Sequence, residues 1–204
     1  MNRNLWIPVA FVAIALTAPS SQAQNADAAR IAAQVCASCH GPRGESISPA
    51  FPRLAGQQEA YLEGQLKAFR DRTRADPMAQ AYMWGMTSQL DDGAIKKLSA
   101  YYSSQKPVRG KAGNAKLVQE GKAIYEAGIP SSGVTACVTC HGKNAEGNAT
   151  FPRLAGQHAE YLVKQLVVFK ILLREEANAP IMHAISKGMS FEQMEAVSAY
   201  LMSR

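Results

Sequence analysis

Cys36-Ala37-Ser38-Cys39-His40 returns later in the chain as Cys137-Val138-Thr139-Cys140-His141, and the two copies together use all four cysteines. C-x-x-C-H is the pattern of covalent haem attachment. Two thiols separated by two residues lie one helical turn apart, so each can form a thioether to one vinyl group of the same porphyrin. The adjacent imidazole then lies under the ring and reaches the iron. Cys36, Cys39, Cys137 and Cys140 are therefore read as attachment points for two covalently bound haem c groups, with His40 and His141 as iron ligands. Two other uses of these residues fit less well. A disulfide within each C-x-x-C would make a thioredoxin-type redox motif, and such motifs are not usually followed by His in two copies. A zinc site would have to close a tetrahedron from two Cys and an adjacent His under strain.

Outward from the motifs, the chain is one unit written twice. Phe51-Pro52-Arg53-Leu54-Ala55-Gly56-Gln57 recurs unchanged as Phe151-Pro152-Arg153-Leu154-Ala155-Gly156-Gln157, and extension to Phe69 and Phe169 gives 12 identities in 19 positions. The further matches (Tyr61/Tyr161, Leu62/Leu162, Gln65/Gln165, Leu66/Leu166, Phe69/Phe169) fall on one face of a helix. Ala100-Tyr101-Tyr102 likewise answers Ala199-Tyr200-Leu201. No segment alternates long enough to suggest a strand, so the fold class is all-α, in two tandem domains built around one haem each. Each half reads as helix, haem motif, loop, helix, Met-bearing loop, helix. The opening helices are expected from about Ala28 through Cys36 and from Ala115 through Tyr125, with Gly128 to Gly133 an inserted turn-rich loop in the second copy. Asp91 and Ser190 suit the N-caps of the closing helices. The expected organisation is a signal peptide at 1–23, domains at 24–106 and 114–204, and a Pro/Gly-rich surface linker at 107–113. Halves this small make weak cores alone; a covalent porphyrin becomes the centre of each.

The N-terminus has a basic start with Arg3, an apolar run from Leu5 to Ala18 broken by Pro8, and small residues at Ser21-Gln22-Ala23. That is the layout of a secretory signal cleaved near Ala23, and it is short for a membrane span. The mature protein is expected in the periplasm, which agrees with haem attachment outside the cytoplasm. The formal net charge of +6 is spread evenly: apart from Arg3, 11 basic and 8 acidic residues precede Gly110, and 10 and 8 follow from there. With no basic block, nucleic-acid binding has no support.

The sixth ligand decides what each iron can do. Of the eight methionines, most are the core filler that Met usually is. Aligning the halves pairs Met83 with Met182, while Met78, Met86, Met189, Met194 and Met202 pair with other residue types. Met83 lies 43 residues after His40, and Met182 lies 41 after His141. Met83 and Met182 are read as axial ligands, with Met86 the runner-up. His158 answers Gln58 and is expected at the surface. His183 answers Trp84 and stands beside Met182, over the haem edge or as a replacement ligand. The Pro52 and Pro152 carbonyls are candidate acceptors for the second imidazole nitrogens. Arg53 and Arg153 divide between propionate binding and a solvated surface, and Gln65 and Gln165 between a propionate and a backbone group.

These residues resemble the dihaem cytochrome c4 family. The resemblance spans the mature chain through the paired C-x-x-C-H motifs, the F-P-x-L-A-G-Q segments, the Y-L-x-x-Q-L helices, the Met83-Trp84-Gly85-Met86 loop and Ala100-Tyr101-Tyr102-Ser103-Ser104-Gln105. It implies two cytochrome c folds with haems approaching near the domain interface, and Met83 as ligand. It further implies a periplasmic carrier, loosely membrane-associated, that passes electrons to terminal oxidases. Gly121 and Tyr125 form the G-x-x-x-[FY] pattern of a close crossing between first and last helices. The first half offers Ile31 and Val35 there, so Ala29 or Ala32 is expected at a shifted contact.

The function expected is electron carriage through two His/Met haems. Redox proteins are the partners: a membrane cytochrome complex or dehydrogenase as donor and a terminal oxidase as acceptor. The chain is expected to be a monomer. The competing readings are a haem enzyme such as a dihaem peroxidase, and the electron-accepting subunit of a dehydrogenase complex. The latter would show an extended apolar surface.

Overall fold

The periodic apolar faces fold as helices, and among the described residues, 27–111 and 113–204 of the computed structural model, no strand forms. The expected signal segment, 1–23, lies outside the described residues. The first half contains α1 (residues 27–40), α2 (Glu59–Arg70), α3 (residues 79–87) and α4 (Asp92–Ser103). Within α1 the helix widens to a π-helix over Ala32–Cys36 and tightens again over Ala37–His40. Within α3 the π segment is Ala79–Met83 and the α segment Trp84–Thr87. The second half contains α5 (Ala115–Ala127), a 3-10 turn at Pro130–Ser132, α6 (Val138–His141), α7 (Ala159–Lys170), α8 (Ala179–Lys187) and α9 (Phe191–Met202).

The expected Met-bearing loops are therefore helices, a correction to the sequence reading. α3 holds no proline and only Gly85 as a weak helix former, and α8 starts with Pro180 in its first turn and ends at Gly188, the positions where those residues favour a helix. The closing helices are capped as the sequence indicates. Asp91 accepts from the Ala94 amide at 2.7 Å, and Ser190 forms a capping box with Gln193.

Each half packs its first helix against its last. In the second half a Cβ at Gly121 would overlap the Ala196 carbonyl and lie 2.9 Å from Tyr200 Cβ, so only glycine permits this crossing. Tyr125 beside it is fully buried. In the first half the contact falls to Ala28 and Ala32, both fully buried, with Leu62, Leu98 and Tyr102. Ala32 is one of the two expected residues. Ala28 replaces Ala29, because residues four apart share a helix face. Val35, aligned with Tyr125 from sequence, is 43% exposed. Met189 and Met194 are core residues of the second half.

Each Phe-Pro-Arg-Leu-Ala-Gly-Gln loop is tied to the end of its own closing helix. The Gly56 amide donates to Tyr102 O, and the Gly156 amide to Leu201 O, both at 2.9 Å. The connecting segment runs past both loops: the spaces a Cβ would take at Gly56 and Gly156 are filled by Pro107 and the Val108 carbonyl. The two loops therefore meet at one seam.

Candidate functional site

Both C-x-x-C-H motifs sit on helix. Cys36 closes the π segment of α1 and Cys39 and His40 follow on its last turn, while α6 carries Cys140 and His141 directly after Cys137. All four thiols are free and half-buried. Burial pushes the Cys36 thiol up from its ordinary value and the Cys137 thiol up to about 11. The imidazoles are buried, each 7% exposed, and burial lowers their basicity, favouring the neutral form that a metal requires. His40 Nδ1 donates to Pro52 O at 2.8 Å and His141 Nδ1 to Pro152 O at 3.0 Å. The second-shell acceptors read from the sequence are in place. Each ring is thus fixed in tautomer and orientation with Nε2 left for a ligand. Phe51 and Phe151 stand edge-on to these imidazoles at 6.1 and 6.4 Å. Free thiols one turn apart beside an oriented neutral imidazole fit covalent haem c, twice.

Met83 ends the π segment of α3 and Met182 lies on α8, both half-buried. Met86 is 56% exposed. His183 does not stand free beside Met182: its Nε2 donates to Arg174 O at 2.7 Å, as Trp84 Nε1 donates to Arg74 O at 2.9 Å. The two unlike residues do one job.

The seam between the halves is polar and reciprocal. Gln57 Oε1 accepts from the Arg153 amide at 2.6 Å while its Nε2 donates to Arg153 O at 2.9 Å. Gln157 returns both bonds to Arg53, at 2.8 and 2.9 Å. His158, expected at the surface, is buried here at 6% exposure, with Nε2 donating to Ser46 O at 2.9 Å. The reason is tertiary: the position adjoins the seam, and Gln58 opposite donates to Glu146 O. Arg53 is neither a free surface residue nor turned away from the partner domain. It donates to Ser46 O at 3.2 Å and to Gly156 O.

Two residues absent from the sequence reading complete the seam. Arg74 and Arg174 are buried and form an antiparallel backbone bridge. Arg74 donates to Gln65 at 2.5 Å and Gln165 at 2.8 Å, and Arg174 to Gln165 at 2.7 Å and Gln65 at 3.0 Å. Gln65 and Gln165 thus serve guanidinium groups rather than the backbone. Asp76 and Glu176 compensate the two cations; burial opposes charge on Glu176, and Arg174 outweighs it, holding its carboxyl below the usual range. Phe69 and Phe169 lie under the guanidiniums at 4.6 and 4.2 Å. The signal was available, since Arg74 and Arg174 match in register five residues beyond the last identity used.

The Cytochrome c family model matches residues 25–106 and again 118–204. A cytochrome c4 of Azotobacter vinelandii is 37% identical, over 97% of this chain and 98% of its own. The crystal structure of reduced recombinant cytochrome c4 from Pseudomonas stutzeri superposes with a TM-score of 0.77 at 35% identity, covering 91% of this chain and 99% of that one. A thiosulfate dehydrogenase electron acceptor of Thiomonas intermedia (strain K12) is 35% identical, over 81% of this chain and 76% of its own.

Proposed function

The chain belongs to the dihaem cytochrome c4 family, electron-transfer cytochromes with covalent haem c rather than enzymes, and we propose that it carries electrons between respiratory partners in the periplasm through two closed His/Met centres. The observation that carries this reading is the doubled imidazole–proline pair, His40 on Pro52 and His141 on Pro152. The bound haem supplies the chemistry, a one-electron change at iron. The protein holds the rest still. Cys36 with Cys39, and Cys137 with Cys140, anchor the two porphyrins. His40 and His141, oriented by the proline carbonyls, would hold the iron together with Met83 and Met182. A carrier whose ligands stay fixed in both redox states rearranges little when an electron arrives. The Gln57/Gln157 and Arg74/Arg174 contacts hold the two centres in one relation, so an electron received at one end can leave at the other.

The donor in this reading is a membrane cytochrome complex or a dehydrogenase, and the acceptor a terminal oxidase. Such contacts are brief, small and weakened by salt. The secretory layout of residues 1–23 supports a periplasmic location with cleavage near Ala23, and among the described residues no helix is long and apolar enough to cross a membrane. The haem ligation is tested by replacing Met83 and Met182 separately with histidine. Each replacement should remove half of the far-red methionine–iron absorption of the oxidised protein. Full absorption in either variant contradicts the pairing.

A second reading, the electron acceptor of a dehydrogenase with a lasting partner, draws on the Thiomonas intermedia relative and on one corner of the second domain. Ile171, Leu172 and Phe191 are 56%, 58% and 54% exposed there, where the first half has Asp71, Arg72 and Asp92. A complex with thiosulfate dehydrogenase that survives high salt in sedimentation would favour it, and dissociation under those conditions would favour the mobile carrier.

A further inference from the structure

Each half buries a tyrosine near its haem motif, but from a different helix. In the second half it is Tyr125 of α5, whose hydroxyl donates to Gly142 O at 2.6 Å, one residue past the motif. In the first half it is Tyr102 of α4, 3% exposed, whose hydroxyl is fully buried and has no hydrogen-bond partner of good geometry among the described residues. The fold equates Tyr102 with Leu201, since Gly56 and Gly156 donate to these two carbonyls in the same way. The second half therefore has no hydroxyl at this place. A buried hydroxyl without a partner is costly, and native structures rarely leave one so.

The neighbour that accounts for it is Cys36, which packs against the cluster containing Tyr102, Leu62 and Leu98. The thiol and the hydroxyl each perturb the other's ionisation: burial raises both, and the hydroxyl partly offsets the rise at Cys36. Haem attachment changes what this sulfur can do. The thiol adds across a vinyl double bond, forming one S–C bond while its hydrogen goes to the other vinyl carbon, and nothing is oxidised or released. A thiol both donates and accepts; a thioether only accepts. The group beside it must then be a donor, and a phenol is one.

We propose that Tyr102 is a tuning residue of the first haem alone, its hydroxyl donating a hydrogen bond to the Cys36 thioether. The positive end of the O–H dipole then points at the porphyrin edge in a dry site, where it favours the electron-rich reduced state. Leu201 offers nothing equivalent, and the Tyr125 hydroxyl is already committed to Gly142 O. Two domains built on one repeat are thereby given different potentials by one oxygen atom. The inference rests on covalent haem at Cys36.

The test is redox titration of holoprotein carrying Tyr102→Phe, with Tyr125→Phe as its counterpart. A mass measurement of the wild type first counts the haems. In Tyr102→Phe one of the two reduction steps should move to lower potential, its equilibrium constant falling about threefold, or ~30 mV for a one-electron couple. The other step stays in place. In Tyr125→Phe the melting temperature falls and both steps remain. Two haems present and no shift in Tyr102→Phe, or both steps shifting together, overturns the assignment of Tyr102 alone. A missing first haem overturns the attachment at Cys36 and the proposal with it.

Discussion

Replacing Gln57 with alanine removes three hydrogen bonds, two of them across the domain seam. The side chain is 8% exposed. Its Oε1 accepts from the Arg153 amide at 2.6 Å and the Gln58 amide at 2.9 Å, and its Nε2 donates to Arg153 O at 2.9 Å. At about 1 kcal/mol net for each bond the loss is about 3 kcal/mol. Arg153 is half-buried, so water recovers part of this and the expected cost is about 2 kcal/mol. Gln157 makes the matching bonds to Arg53 N at 2.8 Å, Arg53 O at 2.9 Å and the His158 amide at 3.1 Å. Gln157→Ala should therefore cost nearly the same. Both hold one seam, so the double variant should cost less than the sum, and its unfolding should separate into two transitions as the domains uncouple. The assay is urea unfolding of holoprotein followed by haem absorption and circular dichroism. A cost under about 0.5 kcal/mol for either single variant, the scale of an ordinary surface substitution, would refute the claim that these glutamines hold the domains together.

Other outcomes follow from the same contacts. Gly121→Ala forces α5 off the Ala196 carbonyl and should cost about 3 kcal/mol or more by thermal melting, while Gly133→Ala, in open space at positive φ, should cost less. Arg74→Met leaves Asp76, 1% exposed, without its guanidinium and should cost about 3–5 kcal/mol; a near-neutral result would show that Asp76 does not need it. His158 titrates below its ordinary value, mainly through burial and then Arg53, against the Ser46 carbonyl and Glu160. The unfolded chain thus binds the proton first, so stability is full above the unfolded value, about 6.5, and falls as pH drops below it. His158→Gln should flatten that fall in acid melting curves, and parallel curves for the two proteins would count against it.

The haem motifs, the helical class and the imidazole–proline pairs were legible because each is a local pattern with one chemical purpose. The seam was not. Gln57, Gln65 and Arg53 were visible as residues repeated in both halves, but identity between halves arises equally from contact with a haem and from contact with each other. Only the folded chain separates the two. Equivalent work done by unlike residues was hidden for the opposite reason: Trp84 and His183 share no side-chain identity, yet each offers a ring N–H to the same arginine carbonyl. His158 looked like a surface residue because a helix start is usually exposed, and burial at the seam overrides that local rule. Spacing from the histidines places the Met-bearing segments but does not distinguish loop from helix, and their composition is helical.

The central claim is that both irons are closed by methionine. It is tested most directly by the optical spectrum of haem-loaded protein, oxidised, then reduced, then reduced under carbon monoxide. Two closed His/Met centres give the far-red methionine–iron band when oxidised and no spectral change with carbon monoxide when reduced. Rapid carbon monoxide binding at either haem would contradict the paired ligation of Met83 and Met182.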